Sequence, residues 1–260
     1  MGAVQAFRAK TPRVSPLREV LVVYAAVTVL TALLGALHVF AWASDYVALA
    51  IAALFLGTAM RMSRRAPGGM HRFGIELGGL LEPADTSDTE PGPLGLFDLA
   101  RTIRNALPSA LRETGFALAV AAVVFPPFVV GFWIWWGPSH PFVWNPTSDF
   151  ASFVLSQFVL VGLPEEALFR GYVQTRLGDR FTQTTRVLGT DLSVPAWILQ
   201  SVLFAVVHLA TEPNVQKLAV FFPGLLFGWM RARRGGIGAS IVFHALSNVI
   251  AEILVTGWLT

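Results

Sequence analysis

The sequence predicts an all-α polytopic bundle of about seven membrane-spanning helices with its N-terminus in the cytoplasm. Three observations predict it: a composition too apolar for water, a series of apolar runs near the length of a bilayer crossing, and basic residues that gather on one face when those runs are threaded through a membrane. Of the 260 residues 54% are hydrophobic and 13% charged, and the mean hydropathy is +0.60. An ordinary soluble domain carries about a quarter charged residues. The chain therefore has too little polar sequence to cover a water-facing surface of its size. Cysteine is absent, which excludes disulfides, thiolate zinc sites and a cysteine nucleophile. The basic balance, with a pI of 9.8, does not point to nucleic acid, because the arginines sit in short groups at the ends of apolar runs, where they set topology.

A crossing helix needs about 20 mainly apolar residues. Seven stretches come near that length: Val20 to Trp42, Tyr46 to Met62, Gly115 to Trp136, Phe150 to Tyr172, Val194 to Ala210, Val215 to Met230 and Gly238 to Trp258. The second, fifth and sixth are short, so six and eight crossings stay open. Arg8, Lys10, Arg13 and Arg18 precede the first run, and no small-residue cleavage site follows within signal-peptide length, so it reads as a retained helix. After the second run come Arg64, Arg65 and Pro67, then the acidic, turn-rich stretch from Glu82 to Pro93, which reads as a flexible linker. Beyond it Leu94, Phe97, Leu99, Ile103, Leu107 and Leu111 alternate with Asp98, Arg101, Arg104 and Arg112, predicting a separate amphipathic helix on the membrane surface. With the N-terminus inside, all but Lys217 of the 19 lysines and arginines fall on the cytoplasmic side, as the positive-inside bias requires. Trp133, Trp135, Trp136, Trp144 and Trp258 then lie near the outer interface. Gly35, Gly162, Gly224 and Gly228 read as close-packing positions between helices. Two units result: residues 1–114, a helical hairpin with a long cytoplasmic loop, and residues 115–260, a membrane core.

Ionisable side chains at membrane depth cost several kcal/mol, so each is a functional candidate. The second half holds three sets: Glu165, Glu166 and Arg170 after Pro164; Phe204 and His208; His244 and Asn248. Neighbours on a helix point about 100° apart, so the two glutamates serve different partners. Glu166 and Arg170 stand at i and i+4 with the acid first, the favourable order for a helical ion pair, and read as an interfacial pair near the cytoplasmic end of the helix. Glu165 has no such partner and is left to face a cavity as a general base. His244 and Asn248, also i and i+4, present two donors on one face, which suits an oxyanion. His208 shares a face with Phe204 and Gln200, and beside Glu165 could orient a water. One feature conflicts: counted from the helix starts, His208 and His244 differ in depth by on the order of 10 Å, which requires a fifth helix that is tilted or starts later, or a fourth helix broken near Pro164. His38, His71 and His140 read as solvated, and Glu252 stays outside the catalytic set.

The three sets, in this order on one polytopic chain, resemble the CAAX-protease and bacteriocin-processing family, whose pattern of Glu-Glu-x-x-x-Arg, Phe-x-x-x-His and His-x-x-x-Asn is met without substitution from about Phe150 to Trp258. The resemblance implies a glutamic-type intramembrane endopeptidase in which Glu165 and His208 activate water and His244 with Asn248 stabilises the oxyanion. Glu166, Arg170 and Phe204 then have supporting roles. No cofactor is implied in this form. The older view of the family as metalloproteases implies instead a divalent metal on Glu165, His208 and His244, although His-Glu-x-x-His is absent; the metal-free form is favoured. Implied partners are a membrane-anchored protein or peptide and the bilayer, not nucleic acid, in the bacterial inner (cytoplasmic) membrane. The myxosortase-like branch, which acts on C-terminal sorting tails, and bacteriocin precursors exemplify substrates. A non-catalytic immunity or scaffold protein on the same fold is the competing reading, and four intact buried polar groups argue against it.

Overall fold

The computed structural model describes residues 15–81 and 96–260, apart from the side chains of residues 45 and 96–99. Arg8, Lys10, Arg13, the acidic stretch from Glu82 to Pro93 and Leu94 lie outside the described residues, as do the side chains of Phe97, Asp98 and Leu99.

Helix α1 (Pro16–Ala36) starts where Ser15 caps it, its Oγ accepting from the Arg18 N–H at 3.3 Å with proline in the first turn. Helix α2 (Ala41–Arg65) follows a single tight turn, and α3 (Gly69–Phe73) is one short turn beyond it. Next among the described residues are α4 (Leu96–Trp136) and α5 (Phe150–Arg180). A hairpin of β1 (Thr185–Val187) and β2 (Thr190–Leu192) leads into α6 (Val194–Val207), α7 (Phe221–Arg234) and α8 (Gly238–Trp258). Among the described residues α1, α2, α4, α5 and α8 are each long and apolar enough to cross a bilayer, while α6, continued by a tight turn to Ala210, is shorter; α7 has 14 residues. The molecule is an all-α polytopic membrane bundle. Val22, Val29, Leu33, Leu49, Val123, Val130 and Leu155 are exposed on its outer faces, as lipid contact demands.

Three local features depart from the sequence expectation. The surface helix and the third crossing are one continuous helix, α4: a lone glycine at Gly115 costs only about 1 kcal/mol in a helix, and Pro108 is accommodated within it. The hairpin after α5 was not foreseen, because its two-residue turn is Leu188-Gly189, both with positive φ, and lacks the Asn-Gly or Asp-Gly signal of such turns. Helix α5 contains two π-helical stretches, Gln157–Gly162 and Ala167–Val173, on either side of Leu163–Glu166.

All four glycines singled out stand at helix contacts. A Cβ on Gly162 would lie 3.2 Å from the Ile241 carbonyl of α8, one on Gly224 3.2 Å from Phe204, one on Gly228 2.6 Å from Gln200, and one on Gly35 3.4 Å from Thr211. The arginine clusters gather at one end. There Glu19 of α1 accepts from Tyr172 at 3.0 Å and from Arg176 at 2.6 and 3.1 Å, Asp179 pairs with Arg176 and Arg72, and Arg234 grips Glu113 of α4 at 2.7 Å. At the opposite end Trp258 stacks on Phe132 and meets Phe142 edge-on, and Trp135 and Trp136 are exposed.

Gly74 closes the arginine-rich end. Its φ is +63° and a Cβ there would sit 2.6 Å from the Gly235 carbonyl, while its own carbonyl accepts the Ile237 N–H at 3.1 Å and fixes the start of α8. Gly74→Ala is therefore expected to lower stability by about 1–3 kcal/mol, measured as a shift in the unfolding midpoint of the detergent-solubilised protein.

Candidate active site

The predicted residues come from three helices and meet around one carboxylate. Glu165 projects from the short α-helical segment of α5 between its two π-helical stretches, a disturbance often found at functional positions. Its Oε2 lies 4.0 Å from His208 Nε2 and 3.8 Å from His244 Nε2. That oxygen is enclosed and has no hydrogen-bond partner among the described residues, although the Glu165 side chain as a whole keeps 19% of its surface.

Both imidazoles are held by their other nitrogen. His208 Nδ1 donates to the Phe204 carbonyl at 2.7 Å, with the Phe204 ring edge-on at 4.8 Å. His244 Nδ1 donates to Glu166 Oε1 at 2.9 Å, and its ring stacks on Phe227 at 4.8 Å. Each ring thus turns Nε2 towards Glu165, because a carbonyl or carboxylate on Nδ1 fixes which nitrogen is left.

Glu166 does more than its predicted ion pair with Arg170. The pair forms, at 3.0 Å, with both side chains fully buried, so it is an interior pair and not one at an interface. The same Oε1 also holds His244. Arg170 is sandwiched by Phe204 and Phe227, 3.9 and 4.9 Å from its guanidinium carbon, and donates to the Gly224 carbonyl at 3.4 Å. Gln200 donates to that same carbonyl at 3.2 Å. Phe227 carried no signal in the sequence beyond an aromatic in an apolar run.

Asn248 follows His244 by one turn but has a different partner: its Nδ2 donates to Gln157 Oε1 at 2.9 Å. Gln157 escaped the sequence reading. Its signal was there, a lone amide within Phe153-Val154-Leu155-Ser156-Gln157-Phe158-Val159-Leu160, where a polar group at membrane depth marks a candidate.

The expected depth conflict between His208 and His244 does not arise: both Nε2 atoms lie within 4.0 Å of the same Glu165 oxygen, although α6 starts at Val194 as expected and α5 runs through Pro164 without a break. Residue counting assumed parallel helices starting at one level, and that assumption fails. Among the described residues no three His, Asp or Glu side chains are placed to hold a metal ion.

Residues 147–250 match the family of type II CAAX prenyl endopeptidases, Rce1-like. The match over this segment supports membership of the CAAX-protease and bacteriocin-processing family. Its boundaries enclose all three sets of polar residues, from before Glu165 to just beyond Asn248, and include Gln157. No curated protein and no solved structure matches the chain. For a CAAX-protease segment the family implies intramembrane protease activity, and the multi-pass bundle fits an enzyme that acts on membrane-associated substrates.

The bridging role of Glu166 makes a separable prediction. Arg170→Ala leaves a buried carboxylate without its cation and is expected to destabilise the protein by about 3–5 kcal/mol, whereas replacing Glu166 and Arg170 together by Met should recover most of that loss. The double variant is expected to fold yet lose activity, because His244 loses the acceptor that orients it; unfolding midpoints and proteolysis rates on the same preparations check both halves.

Proposed function

We propose that the chain is a glutamic-type intramembrane endopeptidase of the bacterial inner membrane, with its N-terminus in the cytoplasm. The observation that carries this reading is the convergence of two anchored imidazoles on a carboxylate that has no ion-pair cation of its own. Water bound at the open edge of the Glu165 carboxylate gives up a proton to it as the water oxygen attacks the scissile carbonyl carbon. His208, fixed through Phe204, turns Nε2 to the same carboxylate and positions that water. The oxyanion that forms is met by a hydrogen bond from His244 Nε2 and by the second amide N–H of Asn248. Collapse of the tetrahedral intermediate breaks the C–N bond, and the proton taken up by Glu165 passes to the leaving amine. The substrate is a membrane-anchored protein or peptide.

The metal-dependent alternative has one observation in its favour: both Nε2 atoms face Glu165 with Nδ1 anchored, an outer-shell pattern common around metal ligands. The separations of 3.8 and 4.0 Å exceed the roughly 3.4 Å between neighbouring ligands of a tetrahedral ion with bonds of about 2.0–2.1 Å, so no step is routed through a metal.

Cleavage of a membrane-anchored test substrate by wild type, Glu165→Ala and His208→Ala protein, with and without a chelator, tests the reading. Both variants are expected to lose roughly a hundredfold or more in rate, and chelation to leave the wild-type rate unchanged. Equal processing by all three proteins would remove the assignment, and chelator sensitivity would transfer it to the metal form. A second expectation concerns Gln157. Gln157→Leu removes the acceptor that fixes the Asn248 amide and should lower kcat about tenfold or more with little change in KM. Gln157→Glu, which keeps an acceptor, should recover part of that loss.

A further inference from the structure

Helices α5, α6 and α7 meet a second time at the arginine-rich end, about 14 Å along α5 from Glu165. A cavity of about 140 Å³ opens there, lined by Gln174 and Thr175 of α5, Ser193 at the start of α6 and Arg231 of α7. Its polar groups are not satisfied by one another. Among the described residues Arg234 is paired with Glu113 and Arg233 donates to the Gly189 carbonyl at 2.8 Å, but Arg231 has no carboxylate. Its one hydrogen bond is a long contact of 3.4 Å to the Arg72 carbonyl, and its Nε is enclosed without an acceptor. The neighbouring acids are engaged elsewhere, Asp179 by Arg72 and Arg176 and Asp191 opposite Arg186. Ser193 Oγ and Gln174 Oε1 are also enclosed and unpartnered.

We propose that this cavity binds a phosphate group, that of an anionic phospholipid headgroup or free phosphate. A guanidinium presents N–H donors in a fork that fits phosphate oxygens, and the Ser193 hydroxyl adds a donor at the N-terminus of a 14-residue helix, whose dipole favours an anion. Position favours lipid as the source. The α6 that brings Ser193 to the cavity carries Ile198, Val202 and Val206 exposed on its outer face, and Leu188 at the hairpin tip is 80% exposed. The cavity therefore sits at the edge of the apolar belt, where basic pockets between helices meet headgroups.

The test uses the full chain in nanodiscs of phosphatidylglycerol or of phosphatidylcholine, followed by native mass spectrometry of the lipid retained after extraction and by thermal unfolding. Wild type is expected to retain phosphatidylglycerol in preference to phosphatidylcholine and to unfold at a higher temperature with it. Arg231→Gln should weaken that retention roughly tenfold or more. Ser193→Ala, which leaves the helix contacts intact, should weaken it less, and it keeps the test valid if Arg231→Gln does not fold. Stabilisation of the wild type by inorganic phosphate in lipid-free detergent, lost in the variants, would assign the free ion to the same site. Equal retention by wild type and variants, or no preference between the two lipids, together with no effect of phosphate, would overturn the proposal. None of these readouts depends on proteolysis.

Discussion

The carboxylate of Glu166 is the contact on which the site is built. One oxygen accepts from His244 at 2.9 Å and meets Arg170 at 3.0 Å, with neither the acid nor the arginine exposed. Burying such ions costs several kcal/mol each, and the cost is offset only where geometry and additional contacts are good. Arg170 obtains those from the Gly224 carbonyl and from the faces of Phe204 and Phe227. The same two rings touch His208 and His244. A single cation thus fixes the aromatic walls against which both imidazoles rest, and α5, α6, α7 and α8 are joined through it.

This arrangement divides the work of the paired glutamates. Side chains 100° apart on a helix cannot reach one target, so while Glu166 faces the interior pair, Glu165 turns to the gap between His208 and His244. The π-helical stretches on both sides of Leu163–Glu166 alter the facing of α5 before and after that segment. Gln157, where the first one starts, reaches Asn248, and Gly162, where it ends, admits the backbone of α8 at Ile241. A regular helix through the same residues would present a different face at one of these points.

Much of this was legible beforehand. The all-α membrane bundle followed from composition and apolar runs, and the last helix, Gly238–Trp258, has its expected ends because Gly235 and Gly236 precede the run and tryptophan closes it. The Glu166–Arg170 pair followed from i, i+4 spacing. What the sequence could not give was anything set by how helices cross: His208 and His244 meet at Glu165 from different helices, and no local pattern encodes a crossing angle. Nor could spacing show that Asn248, though on the face of His244, would be held by Gln157, since that contact joins residues far apart in the chain. The continuity of α4 was missed for a different reason. The change from amphipathic to wholly apolar sequence near Gly115 reads as a boundary, but it marks only a change in what surrounds the helix.

In lipid there is little hydrophobic force between helices, which associate through close packing and polar contacts. Nearly every polar group of the site therefore has a second occupation as glue: Glu166 and Arg170 tie α5 to α7 and α8, His208 is bonded to its own helix, and Asn248 joins α8 to α5. Glu165 differs. Glu166 Oε2 is also enclosed and unpartnered, but among the described residues Glu165 makes no hydrogen bond through either carboxylate oxygen and meets both imidazoles only at 3.8 and 4.0 Å, beyond hydrogen-bond length. A buried acceptor left without a partner lowers stability, and nothing in the packing of α5 benefits from it. The one side chain of the cluster that the fold does not use is the one whose chemistry needs an unoccupied carboxylate.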